Sequence, residues 1–134
     1  MKKLLISLGV TASIIFFPAS AISQTYIPQD IPAIATSTSS TEGIISAILG
    51  SSSPMIDVIQ CESHFHQFDA LGGVLTSPTG DVGIFQIHVS SWGQTARKLG
   101  LDIYSTGGNI AMGIYIYKTA GISQWTCAKM LGLL

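Results

Sequence analysis

Charged side chains are scarce. They make up 10% of the 134 residues, with 6 Lys+Arg against 7 Asp+Glu and no cluster of either sign. That excludes a basic footprint for nucleic acid and a polybasic patch for an anionic membrane, both of which need grouped Lys and Arg. Cysteine is just as sparse. Cys61 and Cys127 stand alone in no C-x-x-C spacing, which removes the common zinc and dithiol motifs. No serine lies within G-x-S-x-G, so the nucleophile elbow of a serine hydrolase is missing. The length leaves room for one small domain and no second. Apolar residues, by contrast, are plentiful at 47%, too many for a chain disordered throughout.

Much of that hydrophobicity sits at the front. Met1-Lys2-Lys3 is followed by an almost wholly apolar Leu4 to Phe17, then Pro18 and the small residues Ala19-Ser20-Ala21. The apolar run is shorter than the roughly 20 residues a spanning helix needs. With its A-x-A ending, the segment 1–21 reads as a cleaved secretory signal rather than an uncleaved membrane anchor. Its removal takes Lys2 and Lys3 with it and leaves a mildly acidic protein. The expected location is secreted or periplasmic, within the cell envelope, without stable membrane insertion. An oxidising compartment lets Cys61 and Cys127 pair, the alternative being two buried free thiols. A bridge closing so long a loop is worth on the order of 4 kcal/mol.

Residues 22–43 carry Pro28, Pro32 and the run Thr36 to Thr41, a composition that buries little surface and reads as a flexible tether. The domain is expected over 44–134. Ile44, Ile45, Ile48 and Leu49 ahead of Gly50 predict one short helix. Ser53-Pro54 predicts an N-cap and first helical residue, with Met55, Ile56 and Ile59 as the apolar stripe. Gly72-Gly73, Val74-Leu75-Thr76 and Ser77-Pro78-Thr79-Gly80 predict a loop or small hairpin. Ser90 or Ser91 is expected to cap a third helix that stops at Gly100, and Ser105 or Thr106 opens a fourth. The fold class is therefore mainly α, a small α+β domain with one irregular polar excursion.

Glu62 is the chemical candidate. It follows Val58 and Ile59 by four and three residues and so continues an apolar helix face. Desolvation and the negative end of the helix dipole both raise a carboxyl there, which is what a general acid needs near neutrality. The same position also suits a partly exposed glutamate at a helix end. His64, His66 and Asp69 form an H-x-H-x-x-D group with no further ligand evident, better read as a solvated pair than as a metal site.

Three stretches together change the weight of Glu62. Glu62-Ser63-His64-Phe65, then Ser77-Pro78-Thr79-Gly80-Asp81-Val82-Gly83-Ile84-Phe85-Gln86-Ile87, then Asn109-Ile110-x-x-Gly113 resemble the soluble lytic transglycosylases. The resemblance spans roughly Ser53 to Tyr117. It implies a lysozyme-like helical domain whose cleft binds peptidoglycan glycan strands, and it requires no cofactor. It implies that Glu62 protonates the bond between N-acetylmuramic acid and N-acetylglucosamine, then acts as base while the muramic 6-hydroxyl attacks C1. Gln86 falls on the motif glutamine that lines the cleft. Small enzymes of this kind open the wall for secretion machines, a partner the sequence leaves unnamed.

Asp81 adds a second resemblance, to the D-x-G-[IL]-[LF]-Q-I stretch of animal-type lysozymes. There it occupies the position of the second carboxylate of a retaining hydrolysis. The same residue also suits a turn aspartate bonding its own backbone. The chain departs from the transglycosylase pattern in three places. The gap from Glu62 to Ser77 is long, with Leu71 to Thr76 reshaping the cleft edge. The tyrosine expected seven residues after Asn109 is Ile116, with Tyr117 one turn beyond Gly113 as the better substitute and a tyrosine of the core as the equal alternative. A later A-Y-N-x-G motif is missing, and Trp125 and Cys127 occupy that region. The alternatives are thus a hydrolytic muramidase using Glu62 and Asp81, or a wall-binding domain without activity.

Overall fold

A computed structural model describes residues 40–134. The signal segment 1–21 and the tether up to residue 39 lie outside the described residues. The chain runs α1 (Thr41–Leu49), α2 (Pro54–Ser63), β1 (Asp81–Val82), β2 (Ile87–His88), α3 (Val89–Lys98), α4 (Thr106–Ala120), a 3₁₀ turn (Ile122–Gln124) and α5 (Thr126–Met130). It is mainly helical with one small antiparallel ribbon, compatible with a small α+β fold.

Local chemistry sets the helix ends. Ser40 Oγ accepts the Gly43 N–H at the start of α1, so the first helical turn falls within residues that composition assigned to the tether. Ser53 Oγ caps α2 ahead of Pro54, and Ser105 Oγ caps α4 through the Gly108 N–H, each satisfying a donor the helix cannot use. The third helix departs from expectation. Its N-cap is His88, without a side-chain cap, rather than Ser90 or Ser91. The reason is that β2 runs straight into α3, so residues 90 and 91 already lie inside the helix.

The hairpin is also displaced. Val74-Leu75-Thr76 forms only the isolated bridges Phe68–Val74 and Thr76–Val82. The regular pairing instead joins Asp81 to His88 and Val82 to Ile87, inside the glutamine motif. α5 carries no strong sequence periodicity and is set by its packing on α2 and by the Cys61–Cys127 disulfide, whose Cα atoms lie 6.0 Å apart.

The core gathers Ile45 from α1, Met55, Val58 and Ile59 from α2, Ile84 and Phe85 from the ribbon turn, Met112 and Ile116 from α4, and Trp125. Phe85 is fully buried, its ring centroid 6.2 Å from that of Trp125. Gly113 lets α4 reach that ring, since a Cβ there would collide with Phe85. Gly113→Ala is therefore expected to lower stability by about 1–3 kcal/mol, the usual range for overpacking a core. Chemical denaturation checks this, and an unchanged midpoint would contradict the packing described.

Candidate active site

Glu62 stands one residue before the end of α2, where the chain turns back sharply. The next two residues, His64 and Phe65, both take positive φ, 52° and 62°. Residues with a Cβ rarely occupy that region unless their surroundings hold them there. Here Ser63 is the clamp. Its buried Oγ donates to the Ile84 carbonyl at 2.5 Å, so the end of α2 is tied to the ribbon turn and Glu62 is fixed beside it.

In the buried turn after β1 the Gly83 N–H and carbonyl find backbone partners in Leu75 and Gln86, but Ile84 and Phe85 lie outside the regular pairing, so their polar groups need side-chain partners. Asn109, fully buried on α4, donates from Nδ2 to the Val82 and Ile103 carbonyls and accepts the Phe85 N–H at Oδ1, all at 2.9 Å. Gln67 Oε1 accepts the Ile84 N–H, while its Nε2 donates to the Ile103 and Tyr104 carbonyls. Trp125 Nε1 donates to the Phe85 carbonyl at 2.6 Å. Gly83 has φ +69° and faces both Gln67 and Asn109, where any Cβ would collide with their amides.

On this frame one cleft brings together Glu62, Asp81, Gln86, His88, Trp92, Ile116, Gln124, Trp125 and Thr126. Its space is about 70 Å³, enough for a hydroxyl-bearing group or water but not a whole sugar ring. Glu62 also borders a second, mainly apolar depression of about 540 Å³ with His64, His66, Phe68 and Leu75, within the usual size of a small-ligand site. The carboxyl thus sits between a narrow compartment and a wide one.

The two carboxyls are driven apart. Burial pushes Glu62 above its ordinary value of 4.5, and the nearby charge of Asp81 pushes the same way. The Cys127 N–H, which donates to Oε1 at 3.1 Å, opposes both. Asp81 is held below its ordinary 3.8. Burial works against ionisation there, but Thr79, Ser77 and His88 outweigh it by donating to the carboxylate. Ser77 Oγ and Thr79 Oγ1 reach Oδ2 at 2.7 and 2.5 Å, and His88 Nδ1 reaches Oδ1 at 2.7 Å. Opposite shifts in neighbouring carboxyls are the pattern that separates a proton donor from an ionised partner.

Of the residues singled out from sequence, Glu62, Asp81 and Gln86 meet in the cleft. Gln86 adopts φ 44° and curls its Nε2 onto the Gly83 carbonyl at 2.8 Å. Tyr117 does not belong there. It is half-buried against the core, and the α4 residue that lines the cleft is Ile116. Seven residues bring a helix back almost to the same face, so Ile116 follows Asn109, while Tyr117 is turned a further 100° or so. His64, His66 and Asp69 do not converge. His66 Nδ1 lies 3.1 Å from the Ser63 carbonyl, and Asp69 Oδ1 accepts the Leu71 and Gly73 N–H groups. Among the described residues no group of three His, Cys, Asp or Glu is placed to hold a metal. Sequence reasoning missed Gln67, whose role comes from contacts 17 to 37 residues away, and Gln124 and Thr126, which flank the buried Trp125 and reach the cleft with it.

No family model matches the chain, and neither a curated protein nor a solved structure matches it. Among the described residues no helix is long and apolar enough to cross a membrane.

These shifts carry opposite signs for stability. Glu62 is raised, so above its ordinary value the unfolded chain ionises more readily and the fold is penalised. Asp81 is lowered, so it stabilises the fold above pH 3.8 and loses that contribution as pH falls below it. Asp81→Asn should lower Tm at pH 7, by an amount that shrinks towards pH 3. Glu62→Gln should hold or raise Tm at pH 7, with no gain at pH 3. Thermal unfolding across this range checks both, and a Glu62→Gln loss that grows towards neutrality would contradict the assignment.

Proposed function

We propose that this protein is an exported glycosidase that cuts the glycan strands of peptidoglycan, with Glu62 as general acid and then base. The observation that carries the reading is the state of Glu62. It is half-buried, burial and the charge of Asp81 both push it above its ordinary value, and it lines a cleft beside a carboxylate held below its own. Cleaving a glycosidic bond needs that combination, because the leaving oxygen must be protonated while positive charge develops at C1. The motifs around Glu62, Gln86 and Asn109 support a lytic transglycosylase. In that reaction the 6-hydroxyl of the muramic ring attacks C1 and leaves a 1,6-anhydro end.

The wide depression bordered by Phe68, Leu75 and the two histidines takes a sugar ring, and the narrow compartment takes the attacking hydroxyl. The disulfide and the absence of a spanning helix among the described residues accord with work outside the cytoplasm, in the periplasm or beyond. A hydrolytic cut is favoured as a second reading by one observation, the presence of Asp81 in the same cleft. Against a nucleophilic Asp81 stand its three donors, which occupy both oxygens.

Glu62→Gln keeps the shape and an acceptor for the Cys127 N–H but has no proton to give. Its rate of clearing purified sacculi should fall by about 10²–10⁴-fold, the usual worth of a positioned acid–base group, with the Tm preserved. Clearing at the wild-type rate by that variant would sink the proposal.

A further inference from the structure

Asp81 and His88 are directly opposed in the β1–β2 register. The backbone pairing therefore holds the two side chains on one face, and His88 Nδ1 meets Asp81 Oδ1 at 2.7 Å. An ionised carboxylate can only accept, so Nδ1 carries the hydrogen, and the other ring nitrogen, Nε2, is left as the reactive position. Among the described residues Nε2 has no hydrogen-bond partner, and the ring lines the narrow side of the cleft that Glu62 faces. Asp81 itself is a poor proton acceptor, because Ser77, Thr79 and His88 already occupy its oxygens.

Resting on the reading of this cleft as a glycosidase site, we propose that His88 is a second catalytic residue, with Asp81 as its positioning residue. The arrangement is a base oriented by a carboxylate. Glu62 gives its proton to the glycosidic oxygen, and the C1–O bond breaks with its electron pair remaining on that oxygen. The attacking hydroxyl oxygen bonds to C1, and its proton passes to Nε2 of His88. Water then takes the proton from His88 and returns one to Glu62. On this division Glu62 keeps the acid step, and His88 takes over the base step that the simpler scheme gives to Glu62.

The groups facing His88 limit what else sets its charge. From β1 comes Asp81 and from α2 Glu62, while α3, α4, the 3₁₀ turn and α5 contribute Trp92, Ile116, Gln124 and Thr126, all uncharged. The two carboxyls are the charged groups that share the cleft with His88.

The test compares the wild type with Glu62→Gln, His88→Ala and His88→Asn on soluble glycan fragments of purified wall, across pH, with Tm measured for each. Asparagine retains an N–H donor within reach of Asp81 but has no base at the Nε2 position. His88→Asn should lower kcat about 100-fold with KM little changed. The pH profile of the activity that remains should differ in shape from that of the wild type. If His88→Asn restores wild-type kcat and pH profile where His88→Ala does not, His88 serves only to brace Asp81 and the proposal is overturned. Wild-type kinetics in His88→Ala overturn it as well. An active Glu62→Gln overturns the reading of the cleft itself, whereas an inactive Glu62→Gln beside a wild-type His88→Asn removes only the role of His88.

Discussion

The structure depends on one constraint: a buried stretch of irregular backbone, Ile84 to Phe85, must have every polar group matched. An unmatched N–H or carbonyl in such a place costs about 1–3 kcal/mol, and four of them would consume much of the 5–15 kcal/mol that holds a small domain together. Side chains from four segments answer this demand. Ser63 from α2, Gln67 from the following loop, Asn109 from α4 and Trp125 before α5 each bond a different group of the turn. Gly83 and Gly113 supply the two places where no Cβ fits. Through this turn α2, α4 and the segment before α5 are tied to one another, in addition to their packing in the common core.

That attachment places the chemistry. Ser63 ties the end of α2 to the turn, so Glu62 is held beside it. β1 and β2 leave the same turn, so Asp81, Gln86 and His88 arrive on the other side of the cleft. The disulfide then brings α5 against α2 and delivers the Cys127 N–H to the Glu62 carboxyl. Burial raises Glu62 above its ordinary value, and hydroxyl and imidazole donors hold Asp81 below its own. The opposite states of two neighbouring carboxyls come from surroundings, not from residue type.

Legibility in the sequence followed how local the determining forces were. Ser53-Pro54 and Ser105 mark their helix starts because capping acts within three residues. Glu62 was visible because the apolar period runs into it. Val74-Leu75-Thr76 has the β-prone letters and forms a loop with isolated bridges, whereas the regular pairing falls on the segments flanking the buried turn, which those letters do not mark. Tyr117 was preferred over Ile116 on chemistry, and helical phase decided otherwise. Gln67 looked like any surface glutamine, since nothing nearby in sequence reveals carbonyls brought to it from far along the chain. The three motif blocks were legible as a set, and the structure supplies a physical reason for their spacing. Ser63, Gly83, Asn109 and Gly113 are parts of one hydrogen-bonded and packed unit.

The central claim is that Glu62 drives glycosidic cleavage completed by the sugar's own 6-hydroxyl. Mass analysis of the fragments released from purified sacculi tests it most directly. The account predicts disaccharide-peptides with 1,6-anhydromuramic ends, released by the wild type and not by Glu62→Gln. Fragments with ordinary reducing ends would replace the transglycosylase reaction with hydrolysis. Release of no sugar at all by the folded, disulfide-bonded protein would contradict the account outright.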